Sequence, residues 1–265
     1  MAKAARASRH IELERKFAVP ESGELPSFDG LSGVVARTEK LPVQLLEAVY
    51  FDTAQRDLAA NRIAVRRRTG GTDAGWHLKL PSAAGASAEA RTEFQAALSD
   101  EIPEELRDMV LAIVRDRPLL PVARIVNNRM VTLLFGPDGT AFAEFCDDNV
   151  SASRLDADGS SETEQQWREW ELEIIDGGVE DATVLLDRLT NRVREAGATP
   201  APHGSKLAKV LGDTTPSRPD PPDDPVHRAV AEQVAALLQW DRAVRADSDD
   251  AVHQMRVTIR QIRSL

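Results

Sequence analysis

Only one cysteine, Cys146, occurs in the 265 residues, so no internal disulfide can form, and the usage fits a reducing compartment; the expected location is the cytoplasm. Between Phe145 and Asp147, in a strand-like run, its thiol reads as packed rather than nucleophilic. The chain also lacks any apolar run near the ~20 residues of a membrane-spanning helix, so no membrane partner is expected. Residues 1–9 lack the apolar core of a secretory signal, and 1–8 read as a flexible basic start. Positive charge is short as well: 33 Lys and Arg against 43 Asp and Glu leave −10, which argues against general attraction to nucleic acid or anionic lipid. Any anion site must therefore be a local gathering of Arg and Lys. No solenoid-period repeat is present, and nothing in the sequence speaks to oligomeric state.

What is present is an ordinary soluble composition, 42% hydrophobic and 29% charged, enough for a sizeable core. Alternation dominates the first two thirds. In residues 10–19 apolar Ile11, Leu13, Phe17 and Val19 share one parity, while Glu12, Glu14 and Lys16 share the other, the pattern of a strand with a charged face. Further strands are expected at 34–39, 44–51, 62–68, 75–81, 89–98, 122–135, 140–147 and 167–175, with 149–153 extending or following the 140–147 strand. Residues 69–74 and 136–139 carry hairpin signals. One helix is expected from Pro103, with Glu104 and Glu105 at its positive end and an apolar stripe of Leu106, Met109, Val110, Ile113 and Val114. A second runs over 179–196, stopped by Gly197. Residues 154–166 read as polar and mobile.

Five prolines between 212 and 225 mark a linker and a domain boundary. Residues 226–265 then follow a helical pattern, with Val252, Met255, Ile259 and Ile262 as one stripe and His253, Arg256, Arg260 and Arg263 as the next. The pattern runs to the last residue without a stop signal, as the opening part of a helical domain would.

The charged strand faces collect Glu12, Glu14 and Lys16; Arg66 and Arg68; Lys79; Arg91 and Glu93; Glu144; and Glu171 with Glu173. The opposite parity is mostly apolar, which suits packing beneath helices, so an antiparallel barrel with a charged interior is expected. So many buried charges cost several kcal/mol apiece unless paired, hydrated or coordinated. Guanidinium and ammonium groups suit phosphate oxygens, and clustered carboxylates suit Mg²⁺ or Mn²⁺, so acids and bases interleaved in one cavity point to a metal–triphosphate complex. His77 and the tryptophans Trp167 and Trp170 read as ordinary barrel residues.

Glu12-Leu13-Glu14-Arg15-Lys16 has the ExExK form of the CYTH domains, also called triphosphate tunnel metalloenzymes. Tyr50-Phe51-Asp52-Thr53, Val65-Arg66-Arg67-Arg68, Trp76-His77-Leu78-Lys79-Leu80-Pro81, Arg91-Thr92-Glu93, Glu171-Leu172-Glu173 and Ser205-Lys206-Leu207 resemble that family's later motifs in its order. The resemblance covers about residues 9–211. It implies an α+β fold, an eight-stranded antiparallel β-barrel tunnel flanked by helices, followed here by a short C-terminal helical segment. Carried over by position, it implies Glu12, Glu14, Glu171 and Glu173 as ligands of Mg²⁺ or Mn²⁺. Lys16, Arg66, Arg68, Lys79, Arg91 and Lys206 are implied as phosphate holders, with Arg124 and Arg129 as additions; Glu93 and Glu144, from the charged strand faces, are further candidate site residues. Arg124 and Arg129 differ in parity, so both face inward only if a bulge intervenes.

The activity implied is metal-dependent hydrolysis of inorganic triphosphate, with nucleoside triphosphates such as ATP as weaker substrates, and with Glu12, Glu14 and Lys16 at its centre. Lys16 is read as a phosphate clamp, or as a proton acceptor if crowding by Arg lowers its pKa. The same family contains adenylate cyclases, which would use the same groups. A polyphosphate-binding module without catalysis is the reading from another class, and the acidic pairs argue against it, since anion binding needs no metal ligands. The tail, through residues 252–260, resembles the beginning of a CHAD domain, a helical module associated with polyphosphate.

Overall fold

A computed structural model describes residues 7–31, 33–81, 90–156, 160–161, 164–175, 182–217 and 220–265. In chain order the elements are β1 (Ser8–Ala18), β2 (Arg37–Lys40), β3 (Gln44–Asp52), α1 (Asp57–Ala60), β4 (Ala64–Thr69), β5 (Gly75–Pro81), β6 (Ala90–Ala96), α2 (Glu104–Met109), α3 (Leu111–Val114), β7 (Leu120–Phe135), β8 (Ala141–Arg154) and β9 (Gln165–Ile174). Then come α4 (Ala182–Glu195), β10 (Thr199–Pro200), α5 (Lys206–Leu211), α6 (Pro225–Arg245) and α7 (Ala251–Ile262). The start of the expected 89–98 strand, the first residues of the 179–196 helix, most of the flexible start, and parts of the 154–166 loop and of the linker lie outside the described residues. Ser8, placed in that flexible start, opens β1.

Eight antiparallel strands close into a barrel in the order β1-β6-β5-β4-β3-β7-β8-β9, as expected. Closure falls on β1: its residues Ser8 to Leu13 pair with β6, and Leu13 to Ala18 pair with β9. Short β2 adds to β7, and β10 adds to β1. The 140–147 strand is longer than its pattern suggested, because 149–153 continue it without interruption. In the β4–β5 turn Gly70 has φ +79°, and a Cβ there would lie 2.2 Å from the Leu45 carbonyl oxygen, so only glycine fits.

Three apolar clusters fix the helices to the barrel. On one outer wall Leu186, Leu189 and Val193 of α4 meet Phe17, Phe145, Trp170 and Leu172. On another, Leu106, Val110, Ile113 and Val114 cover Val65, Trp76, Leu78 and Phe94. Each such large side chain contributes about 1.5–3 kcal/mol when fully buried. The expected single helix from Pro103 is two short ones. Val110, wholly buried, takes φ −109°, ψ 5°, ending α2 and starting α3, which keeps apolar residues of both pieces on the curved wall. The third cluster differs in kind: Leu207, Val210 and Leu211 of α5 pack against Ala48, Tyr50, Ile125, Val150 and Ala152, which point inward. Helix α5 thus fills one end of the barrel, and the interior is apolar there rather than charged throughout.

Asp224 caps α6 by accepting from His227 N at 2.9 Å. Helix α6 runs against α7 and rests on α2 and α3. In α7 the buried positions are Ala251 and Thr258, seven apart, whereas Val252 and Ile259 of the expected stripe are exposed. Met255 and Ile262 of that stripe are half-buried, so the covered side of α7 runs Ala251, Met255, Thr258 and Ile262. No helix among the described residues is long and apolar enough to cross a membrane.

Candidate active site

Strand parity sends one set of residues from every barrel strand into a cavity of 280 Å³, lined among others by Glu12, Glu14, Lys16, Arg66, Arg68, Lys79, Arg91, Glu93, Arg129, Glu144, Glu171, Glu173 and Lys206. The structure therefore brings together all the sequence-derived candidates except Arg124. Arg124 points outward, 55% exposed, and pairs with Glu47 at 2.8 Å. The β3–β7 register is regular from Arg129 to Ala123 and shifts only at Tyr50/Phe51, so no bulge can reverse Arg124.

The acids and bases interlock. Lys79 Nζ lies 2.6 Å from Glu12 Oε2. Lys16 Nζ donates to Glu14 Oε2 at 2.6 Å and to Glu171 Oε1 at 2.5 Å. Arg129 forks onto Asp148 at 2.8 and 2.6 Å and reaches Glu171 Oε2 at 2.5 Å. Lys206, delivered by the first turn of α5 behind its Ser205 cap, sits 2.6–2.8 Å from Asp148, Glu169 and Glu171. Burial alone would raise the Glu14 pKa, but Lys16 and Lys79 hold it down to about 2. Burial opposes charge on Lys16, yet Glu14 and Glu171 raise its pKa above the ordinary ammonium value. The crowding by arginine that would make Lys16 a proton acceptor is absent from its immediate surroundings: the carboxylates Glu14 and Glu171 are its nearest neighbours.

Two parts of the wall stand out from this neutralised network. Glu14 faces Glu173 across the β1–β9 pairing, and Glu173 faces Glu144 across β8–β9. Like charges directly opposite one another repel. Burial, with Glu12, Glu14 and Glu144 nearby, pushes Glu173 up to about 8, and burial raises Glu144 as well. Oxygen-only donors with excess negative charge are what a hard divalent cation requires, so these residues fit Mg²⁺ or Mn²⁺. Four strands away in either direction round the barrel, β4 carries Arg66 and Arg68. Arg66 Nε is buried without a hydrogen-bond partner, and its Nη2 is 3.5 Å from Glu93. Burial and Arg66 lower the pKa of Arg68, which pairs with Asp73.

Arg91 also lines the cavity and donates to the Gly204 carbonyl at 2.9 Å. Asp148, Glu169 and His10, all inward-facing, were not among the candidate site residues. Glu169 shares the acidic parity of Glu171 and Glu173 that the sequence displays, and the same parity reaches the other two, since Asp148 lies four after Glu144 and His10 two before Glu12. His77 is buried, with Nδ1 at 3.0 Å from Glu93 and Nε2 at 2.9 Å from the Asp73 carbonyl oxygen. Asp52, part of a family-like motif, is outside the cavity. It accepts from Thr53, Leu58 and Ala59 N–H groups at 2.7–2.9 Å and so holds the start of α1. Cys146 is buried on the inward face opposite Glu171, its thiol donates to Glu144 Oε1 at 3.4 Å, and burial raises its pKa.

Comparison with known proteins gives a family. The uncharacterized proteins MT2285 and Rv2226 of two Mycobacterium tuberculosis strains are each 58% identical to this chain over 275 aligned residues, 99% of it. The chain spans about half the length of these relatives, 53% of each. Among solved structures, the bh2851 protein of Bacillus halodurans is 19% identical with a TM-score of 0.47, covering 77% of this chain and 99% of that one. HpAC1 from Hippeastrum, described as having a dominant triphosphatase activity, is 19% identical with a TM-score of 0.43, covering 77% of this chain and 95% of that one. The CHAD domain model matches residues 228–265. The CYTH domain model matches residues 10–200, most of the chain and all but the first two residues of the barrel, and the chain belongs to the CYTH domain family.

Proposed function

We propose that the barrel is a metal-dependent triphosphatase acting on inorganic triphosphate, with ATP as a weaker substrate, in the cytoplasm. The observation that carries the reading is one cavity in which Arg66 and Arg68 of β4 lie across from the facing carboxylates Glu14, Glu173 and Glu144, with Lys16, Lys79, Arg129 and Lys206 interleaved among the other acids. Glu12, Glu14, Glu144 and Glu173 would hold Mg²⁺ or Mn²⁺, which supplies charge neutralisation to the phosphates when bound. Arg66, Arg68, Lys79, Arg91 and Arg129 take the phosphate oxygens; forked guanidinium donors orient the chain of phosphates and offset charge on the transferred phosphoryl group. Glu171 is held by Lys16, Lys206 and Arg129, as Glu12 is by Lys79 and Glu14 by Lys16, and it would join these ligands of the ion as phosphate draws the bases away. Lys16 stays protonated and acts as a clamp.

Ligand entry is an exchange of partners: phosphate takes the bases from the carboxylates, and the carboxylates take the cation. Residues 9–211 would carry this chemistry, 212–225 would link, and 226–265 would contribute a part of a CHAD domain.

The test is phosphate release from triphosphate, ATP and thiamine triphosphate with Mg²⁺, with Mn²⁺ and with chelator. Metal-dependent release from triphosphate, abolished in Glu12→Gln and Glu14→Gln with the fold retained, is the expected result. Cyclic AMP as product from ATP would assign a cyclase instead. Tight binding without turnover of any substrate would assign a polyphosphate-binding module.

A further inference from the structure

His10 does not belong to the ExExK pattern, yet it lines the cavity beside Glu12 and Glu93. It precedes Glu12 by two residues on the inward face of β1 and lies directly opposite Glu93 on β6. Its Nε2 is 2.8 Å from Glu93 Oε2 and 3.8 Å from Glu12 Oε1. These three atoms lie within 4.8 Å of one another. Octahedral ligands at about 2.1 Å from a small divalent ion stand roughly 3 Å apart, so the triangle needs only small rotamer adjustments to enclose one.

Lys79 closes the triangle from its inner side: its Nζ lies 2.6 Å from Glu12 Oε2, 2.9 Å from Glu12 Oε1 and 3.8 Å from Glu93 Oε1, while Glu93 Oε2 meets His10. An ion enters the triangle as Lys79 leaves Glu12. Buried His77 holds the far oxygen of Glu93 at 3.0 Å and is itself set by the Asp73 carbonyl oxygen. A ligand carboxylate supported in this way keeps its orientation when an ion arrives. The Glu12 and Glu93 side chains are 6% and 5% exposed and His10 is 43% exposed, so an ion here would be anchored from within while open to water on the His10 side.

We infer that His10, Glu12 and Glu93 form a mixed nitrogen–oxygen metal site at the rim of the cavity, which takes Mn²⁺ in preference to Mg²⁺. Imidazole is a good donor to first-row transition ions, whereas Mg²⁺ favours oxygen donors and retains its water. The site rests on the proposed function for the presence of a divalent ion, and it adds what that reading leaves open, the choice of metal. When triphosphate draws Lys79 away from Glu12, the negative charge left at the triangle rises and the ion binds more tightly.

The test reads metal ligation directly, not turnover. Mn²⁺ is titrated into the full chain by calorimetry, alone and with a methylene-bridged triphosphate analogue, and pulsed EPR then looks for ¹⁴N coupling to the bound ion. Nitrogen coupling is expected in the unaltered protein. It should vanish in His10→Ala, with Mn²⁺ affinity at least about tenfold weaker, and persist in His203→Ala, whose imidazole lies outside the triangle. Melting curves confirm that both variants fold, and His10→Gln separates loss of the ring from loss of bulk. An oxygen-only Mn²⁺ signal, or nitrogen coupling that survives in His10→Ala, overturns the inference and makes His10 a simple partner of Glu93. Oxygen-only ligation with triphosphate turnover intact leaves the triphosphatase standing without this site, and nitrogen ligation without turnover does the reverse.

Discussion

Replacing Glu173 with Gln should make the metal-free protein more stable, an unusual outcome for a residue in a candidate active site. Burial together with Glu12, Glu14 and Glu144 puts the folded pKa at about 8, against an ordinary value of 4.5. Below pH 4.5 the carboxyl is neutral in both folded and unfolded chains and contributes nothing to the difference. Between 4.5 and 8 the unfolded chain ionises first, so stability falls by about 1.4 kcal/mol per pH unit, and above 8 the loss levels off. At pH 7 the accumulated cost is about 3 kcal/mol, which the neutral, isosteric amide escapes. Urea unfolding of both proteins in chelator, from pH 5 to pH 8.5, measures the gap. It should be small at pH 5, favour the variant by about 3 kcal/mol at pH 7 and widen towards pH 8. Saturating Mg²⁺ or Mn²⁺ should close or reverse it, because the ion stabilises the ionised carboxylate that the variant lacks. A gap independent of pH, or a variant less stable than the parent at pH 7.5 in chelator, would refute the electrostatic account of this wall.

Arg129→Ala should cost about 3–5 kcal/mol, because Asp148 and Glu171 lose a buried partner, while Arg124→Ala on the outer face should change stability by less than about 0.5 kcal/mol; denaturant midpoints compare the two. Asp52→Ala should lower stability by about 2 kcal/mol or more, since three N–H groups at the start of α1 lose their acceptor; unfolding curves measure this, and KM for triphosphate should stay unchanged if the role is structural. Lys16 is held protonated by Glu14 and Glu171, so the rate should show no limb from its deprotonation between pH 7 and 9.5, and Lys16→Gln should raise KM; a limb in that range that disappears in Lys16→Gln would restore Lys16 as a base.

Alternation made the barrel readable. A charged parity opposite an apolar one, repeated strand after strand, determines which side chains share a cavity, so Glu12 could be grouped with Glu173 across more than 150 residues. The same rule left Arg124 and Arg129 undecided, because a bulge was needed to admit both, and a bulge depends on hydrogen-bond register rather than on residue type. The Lys16 environment was hidden for a related reason: sequence shows which groups line the cavity but not which are adjacent, and β9 rather than an arginine strand closes against Lys16. The filling of one barrel end by α5 could not be read either, since Leu207, Val210 and Leu211 have the same apolar pattern whether they cover a barrel or enter it.

The closure of the barrel on β1 has a consequence in time. Lys16 and its partner Glu171 are 155 residues apart, so the first strand made is completed by one of the last. At about 5–20 residues per second of synthesis, β1 waits roughly 8 to 30 s for β9. A strand waiting that long with an unpaired edge is prone to stray pairing, and pairs so distant in sequence form slowly. The carboxylates and ammonium of β1 repel like strands during the delay, so the charges that later line the cavity first serve as gatekeepers against aggregation of the nascent chain.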